Sequence, residues 1–236
     1  MRRIAVPVLV VALALPGVVR AANGQQLYGR YCLQCHGPLG VGQRPPSRTI
    51  GPSLRGVGAL AADFYLSTGY MPLKRNGIQP RRSRLLLSHD QIRALVAYVA
   101  SLGKGPRIPT PHPERGDLSQ GQQLFADNCA GCHQIAGRGG YVTHGVPPSL
   151  GDATARQIAE AVRIGPFVMP RFTQKQITNG ELSSLVRYVQ FTQHPDDRGG
   201  WSIGRIGPVP EGLVTWFVAA AALVGVCMLI GRRLHE

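Results

Sequence analysis

Cysteine is scarce in this chain: five occur in 236 residues, and four of them form two C-x-x-C pairs. The pairs are Cys32/Cys35 and Cys129/Cys132, a usage that a disulfide framework or a zinc site could also produce. A zinc site would need further soft ligands at similar spacing. No third or fourth cysteine accompanies either pair, so His89 or His144 would have to serve. The scarcity of cysteine therefore counts against zinc.

Acidic residues are also scarce, with 12 Asp+Glu against 26 Lys+Arg and a net charge of +14. The excess is local, because residues 23–103 hold ten basic and two acidic residues (net +8), whereas residues 117–195 hold six and five (net +1). The basic run at residues 74–84 has no interleaved aromatic residue, which counts against nucleic-acid binding. We predict no nucleic-acid partner; a solvated surface is the simplest explanation, and anionic lipid or an acidic partner are alternatives.

The N-terminal apolar stretch, residues 4–19, is shorter than the roughly 20 residues that span a bilayer, and it contains two prolines. An arginine pair precedes it and small residues follow it, as in an export signal. We predict that residues 1–22 are a signal peptide cleaved after Ala21; an uncleaved N-terminal anchor is the alternative. In both cases the residues that follow are exported.

The C-terminal apolar stretch, residues 212–231, contains no charged residue, and Arg232 and Arg233 follow it directly. This length and this flank predict a transmembrane helix. Because positive residues stay on the cytoplasmic side, residues 232–236 are predicted to form a cytoplasmic tail. The bulk of the chain, before this helix, then lies on the extracytoplasmic side of the cell membrane.

Between its ends the chain repeats itself, at an offset of 97 residues in the first block and of 90 to 98 residues in the later ones. The repeat begins with Gly-Gln-Gln-Leu-aromatic before each cysteine pair, at Gly24 and Gly121, and further blocks recur in the same order. These blocks are Pro52-Ser53-Leu54 with Pro148-Ser149-Leu150, Met71-Pro72 with Met169-Pro170, and residues 95–99 with residues 185–189. Two copies of one domain are therefore predicted, at residues 23–103 and 118–195. Pro/Gly-rich linkers are predicted at residues 104–117 and 196–211.

The secondary structure of both copies is predicted to be helical. Short helices are expected at residues 25–31 and 122–128, before the cysteine pairs, and a longer helix closes each copy. Capping-box spacing marks the start of these longer helices, at Ser88 and Gln91 in the first copy and at Thr178 and Glu181 in the second. The fold class is therefore all-α, with two tandem domains and a C-terminal transmembrane helix.

Each cysteine pair is followed at once by a histidine, which completes the C-x-x-C-H attachment signature of a c-type haem. Thiols three residues apart can bond the two vinyl groups along one porphyrin edge, and the next residue falls under the iron. A thioredoxin-like redox pair would give no reason for that histidine. We predict two covalent haems c, with thioether bonds and iron ligands at Cys32, Cys35, His36, Cys129, Cys132 and His133.

The second axial ligands are predicted to be Met71 and Met169, which lie 35 and 36 residues beyond their histidines and are each followed by proline. Core packing is the usual role of methionine, but only Met1 and Met228 occur besides them, and the repeat favours ligation. Methionine opposite histidine keeps the iron six-coordinate and suits electron transfer. We therefore predict no catalytic residue, and a dihaem peroxidase, which needs an open iron, is disfavoured.

Each copy resembles a class I cytochrome c domain, in which a few helices wrap round one haem. The resemblance implies that the carbonyl groups of Pro52 and Pro148 accept a hydrogen bond from the haem-ligating histidines. The second copy departs from the first with Pro147 in place of Gly51. The resemblance also implies helix crossings of Gly24 and Tyr28 against Leu95 and Tyr98, and of Gly121 and Phe125 against Leu185 and Tyr188.

The tail at residues 199–213, rich in glycine and proline, resembles that of the cytochrome cc subunit of the menaquinol:cytochrome c reductase of high-GC Gram-positive bacteria. This resemblance implies a respiratory electron-transfer subunit of an oxidoreductase (translocase) complex, with no substrate chemistry of its own. Electrons would come from a Rieske iron–sulfur subunit beside a cytochrome b subunit and pass to a terminal cytochrome c oxidase. The alternative is a dihaem subunit of another membrane dehydrogenase or oxidase, although a cbb3-type subunit carries its anchor ahead of the haems.

Overall fold

The computed structural model describes residues 23–44, 51–73, 82–195 and 208–235, and these residues form helices and no strand. The predicted export segment (1–22), most of the basic run (74–81) and the approach to the last helix (196–207) lie outside the described residues. The helices are α1 (Gly24–Tyr31), α2 (Leu33–His36), α3 (Gly58–Ser67), α4 (His89–Ser101), α5 (Leu118–Asn128), α6 (Ala130–His133), α7 (Ala155–Ile164), α8 (Asn179–Gln193) and α9 (Pro208–His235). The all-α prediction is confirmed.

Helices α1–α4 and α5–α8 are two copies of the same arrangement, hereafter domain 1 and domain 2. The predicted capping boxes begin α4 and α8: the Ser88 hydroxyl accepts from the Gln91 N–H, and the Thr178 hydroxyl from the Glu181 N–H. Helix α5 begins at Leu118, four residues before its predicted start, because the Asp117 carboxylate caps it by accepting from the Gln120 N–H at 2.6 Å.

The first and last helices of each domain cross at a glycine. A Cβ added at Gly24 would lie 2.2 Å from the Ala94 carbonyl oxygen, and one at Gly121 would lie 2.0 Å from that of Ser184. An aromatic pair backs each crossing: the ring centroids of Tyr28 and Tyr98 are 5.2 Å apart, and those of Phe125 and Tyr188 are 5.3 Å apart. The helix crossings that the resemblance implies are therefore present, and they close the apolar core of each domain.

The structure contains two helices, α3 and α7, that were not predicted from the sequence. Six of the ten residues of α3 are buried, so its sequence shows no polar face and no helical period. Helix α7 is amphipathic and starts with a capping box of Thr154 and Gln157. These two helices pack against each other and form the boundary between the domains.

The linker at residues 104–117 follows the surfaces of both domains. The Leu60 N–H donates to the Pro106 carbonyl at 3.2 Å, and the Ser183 and Ser184 hydroxyls accept from the N–H groups of His112 and Asp117 at 3.0 and 2.9 Å. The proline and glycine content predicted the linker but not these contacts.

Helix α9 belongs to a separate unit of the chain. It begins four residues before the predicted span, at Pro208, since proline is compatible with the first turn of a helix. Its apolar part, Gly212–Arg233, has 22 residues and is not buried; it is about 33 Å long at 1.5 Å per residue. Leucine, valine and phenylalanine side chains point outward along it. Helix α9 therefore has the length and composition needed to cross a membrane.

Candidate haem-binding sites

A single turn places the cysteines and the histidine of each motif. The Cys32 N–H donates to the Tyr28 carbonyl at the end of α1, and α2 then carries Cys35 and His36. The equivalent turn in domain 2 follows α5 and ends at His133. The histidine N–H donates to the first cysteine's carbonyl at 2.9 Å in both domains. The same backbone hydrogen bonds therefore fix the short segment that carries both thiols and the imidazole.

The two histidines are held by proline carbonyl groups. His36 Nδ1 lies 2.8 Å from the Pro52 oxygen, and His133 Nδ1 lies 3.1 Å from the Pro148 oxygen. Because a carbonyl can only accept, the proton of each neutral ring is on Nδ1 and the lone pair is on Nε2. Burial lowers the pKa of His133, with the Pro148 carbonyl opposing this, so the neutral ring is favoured. Both rings therefore offer the nitrogen that a haem iron binds.

The first thiol of each pair is protonated at neutral pH. Burial and, secondarily, the neighbouring thiol raise the pKa of Cys32 and of Cys129 to about 11. No disulfide joins the cysteines of the described residues. Reactive C-x-x-C pairs of redox enzymes instead have lowered pKa values. Throughout the described ranges, no three His, Cys, Asp or Glu side chains form a metal-binding group, so neither the redox nor the zinc alternative gains support.

A glycine loop connects each histidine to its proline. The N–H groups of Gly42 and Gly139 donate to the carbonyls of His36 and His133 at 2.7 and 3.0 Å. Both glycines have positive φ angles, +84° and +80°, in which a Cβ would lie within 2.8 Å of backbone atoms of the proline segment. Sequence reasoning missed this loop, although a Gly-x-Gly pattern recurs here at the same offset of 97.

The two methionines are half-buried, each against the apolar core of its own domain. Met71 and Cys32 pack against the domain 1 core, and Met169 and Cys129 against the domain 2 core. Backbone hydrogen bonds hold both segments: the Met71 N–H donates to the Tyr65 carbonyl at 2.9 Å, and the Met169 N–H to that of Pro166 at 3.0 Å. The apolar surroundings, neutral thiols and oriented imidazoles all fit a c-type haem; iron ligation by these methionines stays a prediction.

Comparisons with known proteins agree with a pair of cytochrome c domains. The Cytochrome c family matches residues 21–103, and the family described as cytochrome c oxidase, cbb3-type, subunit III matches residues 116–189. The cytochrome bc1 complex cytochrome c subunit of Corynebacterium diphtheriae is 36% identical over 89% of this chain and 80% of its own length. That of Mycobacterium leprae is 36% identical over 89% and 75%. The cbb3-type cytochrome c oxidase subunit FixP of Sinorhizobium medicae is 29% identical over 55% and 44%.

Proposed function

Because this chain belongs to the family of cytochrome bc1 complex cytochrome c subunits, we propose that it carries two covalent haems c and relays electrons through both of them. The family makes the chain a respiratory electron-transfer subunit of an oxidoreductase complex and implies covalently bound haem c. The number of haems, their ligands and the partners are the proposed part.

The observation that carries the proposal is the contact of a proline carbonyl with the histidine Nδ1 behind each C-x-x-C-H turn, 2.8 Å in domain 1 and 3.1 Å in domain 2. The proposed attachment residues are Cys32, Cys35, Cys129 and Cys132, and the proposed axial ligands are His36, Met71, His133 and Met169. Pro52 and Pro148 orient the imidazoles. When bound, each haem supplies an iron that alternates between the ferrous and ferric states.

The chain's own residues then act without acid–base chemistry. The proline carbonyls hold the ring proton on Nδ1 and so leave Nε2 to face the iron, and Met71 and Met169 pack against the apolar cores of their domains. With histidine and methionine both bound, the iron would have no open position for a substrate. The chain therefore transfers electrons and leaves quinol oxidation to another subunit.

The proposed partners are a cytochrome b subunit and a Rieske iron–sulfur subunit on the input side, and a terminal cytochrome c oxidase on the output side. Helix α9 would anchor the chain, with Arg232 and Arg233 in the cytoplasm and both haem domains outside. Residues 1–22 would be an export signal or, alternatively, a second membrane pass.

A second candidate is an electron-transfer subunit of a cbb3-type oxidase, which the match to domain 2 favours. The relative that carries this name covers 55% of the chain, against 89% for the bc1 relatives. We therefore rank the bc1 complex first.

Purification of the tagged full-length chain from its native membranes in mild detergent separates the two candidates, with the untagged strain as control. We expect a haem b protein and a Rieske iron–sulfur signal in electron paramagnetic resonance (EPR) to co-purify in constant ratio. Recovery with a cbb3-type catalytic subunit and no Rieske signal would contradict the proposal and support the second candidate.

A further inference from the structure

The boundary between the domains joins residues that are equivalent, or nearly equivalent, in the repeat. Asp63 of α3 lies beside Glu160 of α7, and the ring of Tyr70 lies 5.2 Å, centroid to centroid, from that of Phe167. Asp63 and Glu160 are separated by 97 residues, the same offset that relates helix α3 to helix α7. Tyr70 and Phe167 are near-equivalent, one residue out of the register that aligns Met71 with Met169. The two domains therefore meet through the same face, that of α3 and α7.

That shared face carries three aromatic rings, Tyr65 and Tyr70 from domain 1 and Phe167 from domain 2, which we call the boundary rings. The Phe167 centroid lies 6.0 Å from Tyr65 and 5.2 Å from Tyr70, with interplanar angles of 80° and 73°. These are edge-to-face contacts, the arrangement that aromatic pairs prefer. The boundary rings thus form one continuous contact from domain 1 to domain 2.

The boundary rings belong to the segments that hold the proposed sulfur ligands. Tyr70 directly precedes Met71, whose N–H donates to the carbonyl of Tyr65 at 2.9 Å. Phe167 lies within the turn that the Met169 N–H closes on the Pro166 carbonyl at 3.0 Å. The methionine-bearing sides of the two domains therefore face each other across these rings.

The backbone of Phe167 is strained in a way that supports a role for its ring. Its φ of 57° is in the left-handed region, which bulky residues rarely adopt and which costs on the order of 1–3 kcal/mol. The side chain gains little from burial, since 43% of the residue is exposed. The contact that this conformation makes is the one with Tyr65 and Tyr70.

We propose that the boundary rings are the contact through which the electron crosses between the two haem domains, with Phe167 as the residue that positions them. This inference rests on the proposed function, that is, on one haem in each domain. In the transfer one iron loses the electron that the other gains; no bond forms or breaks and no proton moves.

Hydrogen bonds between the two domains accompany the boundary rings. The Gln157 amide donates to the Ser67 carbonyl at 3.0 Å, and the Arg82 guanidinium to the Asp152 carbonyl at 3.0 Å. These hydrogen bonds connect the two domains.

The test compares Phe167→Leu with Tyr141→Leu in the haem-loaded full-length chain. Tyr141 is also in domain 2 and is 90% exposed, outside the boundary rings, so it is the matched control. Phe167→Gly, whose backbone suits the positive φ, is a second ring-free variant, and Phe167→Tyr should restore the ring. The readouts are haem content, the absorption spectrum, the rate of transfer between the haems after flash photoreduction, and the magnetic interaction of the two ferric irons in EPR.

We expect Phe167→Leu and Phe167→Gly to slow inter-haem transfer severalfold and to weaken the magnetic interaction. Haem content and the low-spin spectrum should not change, and Phe167→Tyr and Tyr141→Leu should match the unsubstituted chain. An unchanged rate in both ring-free variants, or an equal loss in Tyr141→Leu, would overturn the inference. Fewer than two haems in the unsubstituted chain would instead overturn the proposed function.

Discussion

The two domains build the same site with different residues around it. Both have the cysteine–histidine turn, the positive-φ glycine loop and the carbonyl contact to the histidine. They differ in charge, with net +8 over residues 23–103 and net +1 over residues 117–195. The shared features are therefore those that a haem site requires. The surface charge differs between the domains, and this difference can select different partners.

The backbone hydrogen bond beside each histidine is the same in both domains, although different residues form it. In domain 1 the Gln43 N–H donates to the Gly51 carbonyl at 2.9 Å; in domain 2 the Gly140 N–H donates to that of Pro147 at 3.1 Å. A Cβ at Gly51 would lie 2.3 Å from the Cys35 oxygen. Domain 2 has its glycine on the other side of this hydrogen bond, so the departure at Pro147 leaves the carbonyl contact of the next residue intact.

Substitution of the methionines gives the largest expected effect and tests whether the two sites are equivalent. Met71→Leu should abolish the low-spin His/Met spectrum of one haem and leave the other, and Met169→Leu should do the reverse, because each iron loses one sulfur ligand. Visible absorption and EPR of the purified chain measure this, with Met228→Leu in α9 as the control. An unchanged spectrum in either variant would refute that ligand assignment and make the domains unequal.

The helix crossings should respond equally in both domains. Gly24→Ala and Gly121→Ala each place a methyl group against a backbone carbonyl, so each should lower the free energy of unfolding by about 1–3 kcal/mol. Gly29→Ala and Gly180→Ala are matched controls, since a Cβ there meets nothing within 4 Å, and they should not destabilise. Thermal unfolding followed by circular dichroism compares them. If only one domain loses stability, the last helix of the other domain must shift to accommodate the added methyl group.

The carboxyl pair at the domain boundary should make stability depend on pH. Glu160 is fully buried, and neither of its oxygens has a hydrogen-bond partner among the described residues. Burial, together with the adjacent Asp63 carboxyl and against Arg156, raises the pKa of Glu160 from 4.5 to about 9. The folded chain therefore holds a proton that the unfolded chain releases, so stability is complete below pH 4.5 and falls as the pH rises towards 9.

Glu160→Gln removes this proton uptake. The variant should be more stable than the unsubstituted chain by about 1–3 kcal/mol at pH 8, with the difference vanishing below pH 4.5. Chemical unfolding at several pH values measures it, and Asp127→Asn, at an exposed site of α5, is the control. A gain that is the same at every pH would mean that better packing, not proton uptake, is the cause.

The smallest expected effect is the loss of a tyrosine hydroxyl that donates to a backbone carbonyl. The two domains supply this tyrosine from different helices. Tyr28 of α1 donates to the Gly37 carbonyl at 2.6 Å in domain 1, whereas Tyr188 of α8 donates to the Ile135 carbonyl at 2.9 Å in domain 2. Tyr28→Phe and Tyr188→Phe should each cost about 1 kcal/mol because each removes one hydrogen bond to a backbone carbonyl. Thermal unfolding, with the exposed Tyr141→Phe as control, measures this. No cost for Tyr188→Phe would show that water replaces its hydroxyl.

Local patterns in the sequence predicted the parts of the fold that depend on neighbouring residues. The repeat, the cysteine–histidine turns and the capping boxes at Ser88 and Thr178 are of this kind, because each needs only a few consecutive positions. Helix α3 could not be predicted from periodicity, since it is buried on most sides. Helix α7 could have been, through the spacing of Thr154 and Gln157.

These local patterns could not predict contacts between segments that are distant in the sequence. The offset of 97 identifies Asp63 and Glu160 as equivalent. Nothing in a repeat says that its equivalent positions touch, because this depends on how two folded domains pack. The boundary rings and the buried carboxyl pair therefore became visible only in the folded chain.

We propose, above all, that each domain carries one covalently attached haem. Mass spectrometry of the acid-denatured chain, purified from its native host, tests this most directly, because thioether bonds survive denaturation. We predict the mass of the polypeptide plus two haems, and one haem fewer when Cys32 and Cys35, or Cys129 and Cys132, are both replaced by alanine. A native chain that retains one haem or none would contradict it.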